Sequence, residues 1–235
     1  MGSLSPRRDR YLDAMGIQRW RLRGREVEQP DSIVEDPAAT DSALPTEVAT
    51  DWQGLQQQVA GCRACGELVS NRTQTVFGVG NADADWMVIG EAPGADEDRQ
   101  GEPFVGVAGQ LLNAMLAAIN LPRESIYIAN TLKCRPPGNR NPTTEEAQQC
   151  RPYLDRQIEL VAPRLILAVG RIAVHNLLGT EESISKLRGR VHRLGDQQIP
   201  VIVTYHPAYL LRNPIDKRKA WEDLKLAVRV MQGGE

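Results

Sequence analysis

The sequence of 235 residues lacks the segments that would direct it to a membrane or into the secretory pathway. No apolar stretch approaches the length of a membrane-spanning helix, and the N-terminus has no apolar core of a signal peptide. The formal net charge of −2 argues against charge-driven coating of nucleic acid, although it permits a local basic footprint. We therefore expect a cytoplasmic protein without membrane association.

Cysteine is scarce, with four residues in the chain, and all of them are candidate ligands of a single metal site. Cys62 and Cys65 form a C-x-x-C pair, whereas Cys134 and Cys150 stand alone. Without a secretion signal, this set favours metal binding over disulfides, and a thioredoxin-like motif would need only two cysteines. Zinc sites favour two C-x-x-C knuckles. Cys134 and Cys150 do not form such a knuckle, so the spacing favours an iron–sulfur cluster over zinc.

Composition divides the chain into three parts. Residues 1–24 can form a short amphipathic helix that docks on a partner, with a frayed tail as the alternative. Residues 25–50 are rich in Pro, Asp, Glu, Ser and Thr and lack an apolar period, which predicts a disordered linker. Residues 51–235 remain as a folded domain with a sizeable core.

The folded part alternates strands with helices. Short apolar runs predict strands at residues 86–90, 126–129, 165–169 and 199–204. Helical spacing and capping residues predict helices at residues 108–121, 144–160, 171–178 and 217–231. This alternation predicts a mostly parallel sheet covered on both faces. Ligands of such sheets bind beyond the carboxyl ends of the strands, so we expect the loop after Gly90, Asn130 and His206 to share one crevice.

Candidate binding residues lie in these loops. Residues 90–106 are rich in Gly, Pro and carboxylates, but no Walker lysine is present, which argues against a phosphate loop. Phe104, one of two phenylalanines, either packs in the core or offers a stacking platform for a flat ring. Asn130 is either a turn former or, because its amide donates and accepts, a reader of a pyrimidine edge.

The last strand is followed by a second group of candidates. His206 precedes Pro207 at the strand end, where a histidine can stabilise negative charge on a leaving group. Leu210 and Leu211 followed by Arg212 suit a wedge into a duplex with a phosphate contact, and a buried helix start is the alternative. A cysteine-bound cluster would also fix a basic surface made of Lys133, Arg135 and Arg140.

Residues 90–112, 130–150 and 206–214 together resemble the iron–sulfur family 4 of the uracil-DNA glycosylase superfamily. The resemblance covers roughly residues 51–231 and three long motifs in order. It implies a three-layer α/β/α sandwich with a four-stranded parallel sheet. It also implies hydrolysis of the N-glycosidic bond of deoxyuridine in single- or double-stranded DNA, leaving an abasic site and starting base-excision repair. The implied ligands of a [4Fe–4S] cluster are Cys62, Cys65, Cys134 and Cys150.

The resemblance also implies roles for the crevice residues. Phe104 stacks on uracil, Asn130 reads its N3–H and O4 edge, and backbone groups around Gly90 and Ala92 hold the base. His206 donates to O2 of the uracil anion, and the carboxylates that position water or stabilise the sugar cation are Glu91 and Glu97. The implied DNA contacts are Leu210, Leu211, Arg212, Arg135 and Arg140.

Two departures from the superfamily pattern bear on these roles. Ala92 stands where the best-known members carry a water-activating aspartate, so Glu91 is the nearest substitute. Gly94 stands where they carry a tyrosine that blocks the methyl group of thymine, so exclusion must come from elsewhere, such as the Glu97 side of the pocket. No histidine lies between Cys134 and Cys150, so we expect turnover rather than the covalent trapping seen in a relative.

Two other classes of function remain open from the sequence. One is a DNA-binding iron–sulfur protein without turnover, and the other is a zinc-stapled binding module. We expect a monomer whose N-terminal segment contacts a repair or replication protein.

Overall fold

The computed structural model describes residues 48–234 of the chain. Its strands are β1 (Val79–Gly80), β2 (Trp86–Gly90), β3 (Tyr127–Asn130), β4 (Leu165–Val169), β5 (Val191–Leu194) and β6 (Ile199–Thr204). They form one sheet in the order β1-β3-β2-β4-β6-β5. The inner strands β3, β2, β4 and β6 are parallel, which confirms the predicted four-stranded parallel sheet. The short strands β1 and β5 add an antiparallel edge on each side.

The helices of the described part connect these strands and cover the sheet. They are α1 (Trp52–Gly61), α2 (Gly66–Asn71), α3 (Ala95–Gln100), α4 (Val107–Ala117), α5 (Thr144–Val161), α6 (Arg171–Leu178), α7 (Ile184–Leu187), α8 (Pro207–Arg212) and α9 (Lys217–Met231). Helix α5 begins as predicted: Thr143 Oγ1 accepts from the Glu146 N–H at 3.2 Å, and Glu146 Oε2 accepts from the Thr143 N–H at 2.8 Å. None of these helices is both long and apolar enough to cross a membrane.

Alternate residues of the buried strands face two separate cores. In β2, Met87 and Ile89 join a core that includes Leu154 of α5, whereas Val88 joins one that includes Leu224 of α9. Because successive side chains of a strand point to opposite faces, the sheet lies between these two cores. The predicted three-layer α/β/α arrangement is therefore confirmed.

Most of the predicted N-terminal organisation lies outside the described residues. The predicted segment 1–24 and residues 25–47 of the predicted linker are in this group. The last three residues of that linker are described, and Arg156 on α5 donates to the carbonyl oxygens of Ala49 and Thr50. This end of the predicted linker is thus bound to the folded domain.

Candidate active site and cysteine cluster

A crevice of about 460 Å³ opens where the chain leaves β2, β3 and β6. As the strand order predicts, it brings together residues that are far apart in sequence. The predicted site residues that line it are Glu91, Ala92, Glu97, Phe104, Asn130, Arg140, His206 and Arg212. Pro136, Asn139 and Tyr209 also line it, and the sequence analysis did not single them out.

Asn130 is the polar group at the base of this crevice. It ends β3, is 2% exposed, and its Oδ1 has no hydrogen-bond partner among the described residues. Buried acceptors are normally paired, because leaving one unpaired costs roughly 1–3 kcal/mol. This oxygen is therefore placed to accept a hydrogen bond from a ligand in the crevice.

Gly90 creates the room that Asn130 and Phe104 occupy. A Cβ at Gly90 would lie 2.5 Å from Asn130 Oδ1 and 2.6 Å from Phe104 Cζ, closer than real Cβ atoms come to other atoms. Gly90 is itself buried and does not line the crevice. Because Gly90 has no side chain, Asn130 and Phe104, which do line the crevice, can lie directly against its backbone.

Phe104 forms an apolar wall next to His206. The two ring centroids are 5.6 Å apart, and the ring planes are inclined by 30°. Phe104 has a φ of 55°, and a Cβ at Gly109 in α4 would lie 1.8 Å from the Phe104 carbonyl oxygen. The first turn of α4 therefore packs directly on the Phe104 backbone and fixes the ring at the crevice.

The two predicted carboxylates have different surroundings. Glu97 Oε1 accepts from the N–H groups of Val105 and Gly106 at 3.0 and 3.1 Å, and its Oε2 accepts from the Gly94 N–H at 3.1 Å. Glu97 thus ties both ends of the crevice loop together. The Glu91 side chain makes no hydrogen bond with the described residues. Burial raises the pKa of Glu91 above its usual value, and the Arg171 charge offsets only part of this rise.

His206 is held in one tautomer by its own helix. Its Nδ1 accepts from the Ala208 N–H at 3.1 Å as the N-cap of α8, and Pro207 occupies the first helical position. Burial and the Arg212 charge lower the pKa of His206 to about 4, against the opposing effect of Glu97. At neutral pH the ring is therefore neutral, with its proton on Nε2.

The structure separates the residues of the predicted wedge. Leu210 is 0% exposed and packs in the core, whereas Leu211 is 40% exposed. Arg212 is exposed at the crevice edge. The alternative of a buried helix start thus applies to Leu210, and Leu211 is the exposed leucine of the pair.

The predicted basic surface is also corrected. Lys133 is 1% exposed, and its Nζ donates to the Asn130 carbonyl oxygen at 2.9 Å and to Gln157 Oε1 at 2.5 Å. Its inclusion in a basic surface was wrong, because these two acceptors draw the side chain into the core. Arg140 binds Glu146 at 2.6 and 2.8 Å and Glu67 at 2.9 Å, so its charge is largely matched by carboxylates.

The four cysteines are free thiols that lie near one another. Cys62 and Cys65 occupy the turn between α1 and α2, and Cys65 lies against the buried Cys134 and Cys150. Burial, reinforced by neighbouring cysteines, raises the pKa of Cys65 to about 11 and that of Cys150 to about 12. Within residues 48–234, no three His, Cys, Asp or Glu side chains form a group that could hold a single metal ion.

Hydrogen-bond donors surround this cysteine cluster. Arg72 Nη1 donates to Cys134 Sγ at 2.7 Å, and its Nη2 donates to the Cys62 carbonyl oxygen at 2.6 Å. The Tyr153 hydroxyl lies close to the Cys62 side chain, and the Lys133 N–H lies close to the Cys150 sulfur. The sequence analysis missed Arg72 and Tyr153. Tyr153 follows Cys150 by one helical turn, which is a usable signal, whereas nothing in the sequence marks Arg72.

The chain is similar in sequence to several known proteins. A family model for the uracil DNA glycosylase superfamily matches residues 77–225. The chain is 45% identical to a type-4 uracil-DNA glycosylase of Archaeoglobus fulgidus, over 73% of this chain and 88% of that protein. It is 44% identical to a type-4 uracil-DNA glycosylase of Thermotoga maritima, over 74% and 91%. With a type-5 uracil-DNA glycosylase of Pyrobaculum aerophilum the identity is 31%, over 68% and 83%.

Proposed function

The chain belongs to the type-4 family of the uracil-DNA glycosylase superfamily, and we propose that it excises uracil from DNA. The reaction hydrolyses the N-glycosidic bond of deoxyuridine and leaves an abasic site, which is the first step of base-excision repair. The glycosidic bond cannot be reached inside a duplex, so the nucleotide must first rotate out of the stack into the crevice.

The observation that carries this proposal is the unpaired Oδ1 of Asn130. Uracil presents a donor, N3–H, beside an acceptor, O4, and a primary amide offers the complementary pair. Asn130 Oδ1 would accept from N3–H while its Nδ2 donates to O4. Phe104 and Asn130 lie on the same side of Gly90, and the Phe104 ring would stack on the uracil ring.

His206 is suited to stabilise the leaving group. As the glycosidic bond breaks, negative charge develops on the uracil ring while the sugar becomes an oxocarbenium ion. A neutral imidazole with its proton on Nε2 can donate to O2 of that anion, and the Ala208 N–H fixes the ring for this purpose. Since the pKa of His206 is lowered to about 4, it acts as a hydrogen-bond donor without first taking up a proton.

Glu91 is the carboxylate that we assign to the attacking water. Its side chain reaches the crevice and makes no hydrogen bond with the described residues, so its oxygens can bind a water molecule. Glu97 is committed to three backbone N–H groups, and we assign it a positioning role in the crevice loop. Ala92 contributes backbone and an apolar surface between the crevice and the cysteines.

We further infer that the cysteine cluster holds a [4Fe–4S] cluster through Cys62, Cys65, Cys134 and Cys150. The donor set fits, because it supplies four thiols together with N–H and O–H groups directed at three of the sulfurs. When bound, the cluster would cross-link the α1–α2 turn to the segment after β3 and to α5. Its proposed role is structural, and no step of the reaction passes through it.

The DNA-contacting face is proposed to lie at the crevice mouth. Leu211 is exposed and would fill the space that the rotated nucleotide leaves, and Arg212 beside it would bind a phosphate. Arg135 is half-buried, and its Nε donates to Asn139 Oδ1 at 2.7 Å, which orients its side chain near this mouth. Phosphate contacts of this kind should make binding weaken with salt.

The experiment that tests the function uses an oligonucleotide with a single uracil. Incubation followed by alkali should break the strand at that position, and an oligonucleotide with thymine there should remain intact. An intact uracil strand at full iron content would reject the glycosylase and favour a DNA-binding iron–sulfur protein. Metal analysis that finds zinc in place of iron would instead support the zinc-stapled module.

A further inference from the structure

We propose that Lys133 is a positioning residue that connects the cysteine cluster to the uracil-reading amide. This proposal rests on the proposed function, since it concerns how Asn130 is held for recognition. Lys133 lies three residues after Asn130 and directly before Cys134. Its side chain is almost fully buried, which is rare for lysine unless each of its polar groups has a partner.

The Lys133 side chain supports the end of the uracil-reading strand. Its Nζ donates to the main-chain oxygen of Asn130 at 2.9 Å, and a second N–H goes to Gln157 Oε1 at 2.5 Å. A lysine amine has two N–H groups even when neutral, so both bonds form in either protonation state. The main-chain carbonyl of Asn130 therefore accepts from the buried Lys133 Nζ, while the Asn130 side chain lines the crevice.

The backbone of the same residue adjoins the cysteines. Lys133 directly precedes Cys134, and its carbonyl oxygen accepts from the Val76 N–H at 2.7 Å. Gln157 accepts from Lys133 Nζ through its Oε1. Its Nε2 donates to the Phe77 carbonyl oxygen and to the Tyr127 hydroxyl, each at 3.0 Å, and these bonds hold the Gln157 side chain in place. Thus one residue has its main chain directly before Cys134 and its side chain on the Asn130 carbonyl.

The consequence is that Lys133 should affect recognition through Asn130 and not only through stability. Methionine at position 133 keeps the length of the stem but removes both N–H donors. The Asn130 carbonyl would then lose its buried donor, and the strand end would relax. The amide of Asn130 would move with it, away from the edge of uracil.

A double-mutant cycle tests this route. Single-turnover release of uracil is measured for the wild type, Lys133→Met, Asn130→Ala and the double variant, all matched for iron content. We expect Lys133→Met to slow release about tenfold in the wild type and to have no further effect with Asn130→Ala, because the two act as one unit. Equal slowing in both backgrounds would overturn the proposal.

Inhibition by free uracil gives a readout that a purely structural role does not change. Lys133→Met should weaken this inhibition, because the recognising amide is displaced. Tyr127→Phe is the matched control: it removes a hydroxyl from the same buried network but leaves the bond between Lys133 and Asn130 intact. It should lower the melting temperature with inhibition unchanged, and equal weakening in both variants would overturn the proposal.

Two further outcomes are distinguished by design. If Lys133→Met does not fold, the same cycle is run with Lys133→Gln, which keeps a polar end group in the buried site but is one bond too short to reach the Asn130 carbonyl, and the same two results decide. A wild type that releases no uracil removes the proposed function and this inference together. An active wild type whose variants combine additively removes this inference alone.

Discussion

Replacing Gly90 by alanine should damage the active site while leaving the fold in place. Ordinary van der Waals contact begins near 3.4 Å, and the new Cβ would lie 2.5 Å from Asn130 Oδ1 and 2.6 Å from Phe104 Cζ. Both groups must therefore retreat by roughly 0.8–0.9 Å (3.4 Å less 2.6 or 2.5 Å). One methyl group thus displaces both the amide that we propose reads uracil and the ring that we propose stacks on it.

The magnitude of this effect follows from the size of the displacement. Misplacing a positioning group by about 1 Å can cost on the order of 10²-fold in rate, so we expect kcat/KM to fall by about that factor. The overpacked site should also lose about 1–3 kcal/mol of folding free energy. The loss of activity should therefore be clearly larger than any loss of folded protein at the assay temperature.

The assay compares kcat/KM on a uracil oligonucleotide with the melting temperature of the same preparation. Gly61→Ala is the matched control, because a Cβ at the end of α1 meets no atom within 4 Å. It should leave both quantities close to the wild type. A Gly90→Ala enzyme that keeps its activity within about twofold would refute the assigned roles of Asn130 and Phe104.

Three further predictions concern other parts of the site. Because the pKa of His206 is lowered to about 4 from 6.5, its ring should stay neutral at pH 6.5, and uracil release should fall at lower pH, where Glu91, whose pKa burial raises, and then His206 take up protons; a His206 ring that titrates near 6.5 by NMR would contradict the neutral ring. Arg72→Gln should lower the retained iron per protein, since it removes the donor to Cys134, whereas the exposed Arg99→Gln should not; equal retention would contradict the role. Leu211→Ala should slow release from duplex more than from single strands, unlike Ile215→Ala, and equal slowing on both would argue against a wedge.

Three of the four inner strands could be predicted residue by residue, because they are almost continuously buried, whereas β3 lies one residue later than the predicted 126–129. The runs at residues 86–90, 165–169 and 199–204 coincide with β2, β4 and β6. A strand buried on both faces is continuously apolar, so its ends are visible where polar residues or glycine begin. The edge strands carry no such signal: β1 has two residues, and β5 mixes two apolar with two polar residues, all of them at least partly exposed.

The site was predictable in its location but not in its hydrogen bonding. Strand ends placed Asn130 and His206 in one crevice, since that rule depends only on element order. Lys133 was misread because basic neighbours are normally solvated, whereas its burial depends on Gln157, which lies 24 residues later in α5. Glu97 was assigned to chemistry, and its three backbone N–H partners become visible only when the loop is folded.

The segment that joins the crevice to the cysteines is short and continuously bonded. After Asn130, the Thr131 N–H donates to Gly90 O at 2.9 Å and the Leu132 N–H donates to Glu91 O at 3.0 Å. The pairing of β2 with β3 thus continues to the residues beside Cys134. A segment of four residues spans at most about 14 Å and has no slack when its backbone is bonded. Loss of the proposed cluster, which would anchor Cys134, should therefore reach Asn130, so that removing its iron should weaken inhibition by free uracil in protein that is still folded.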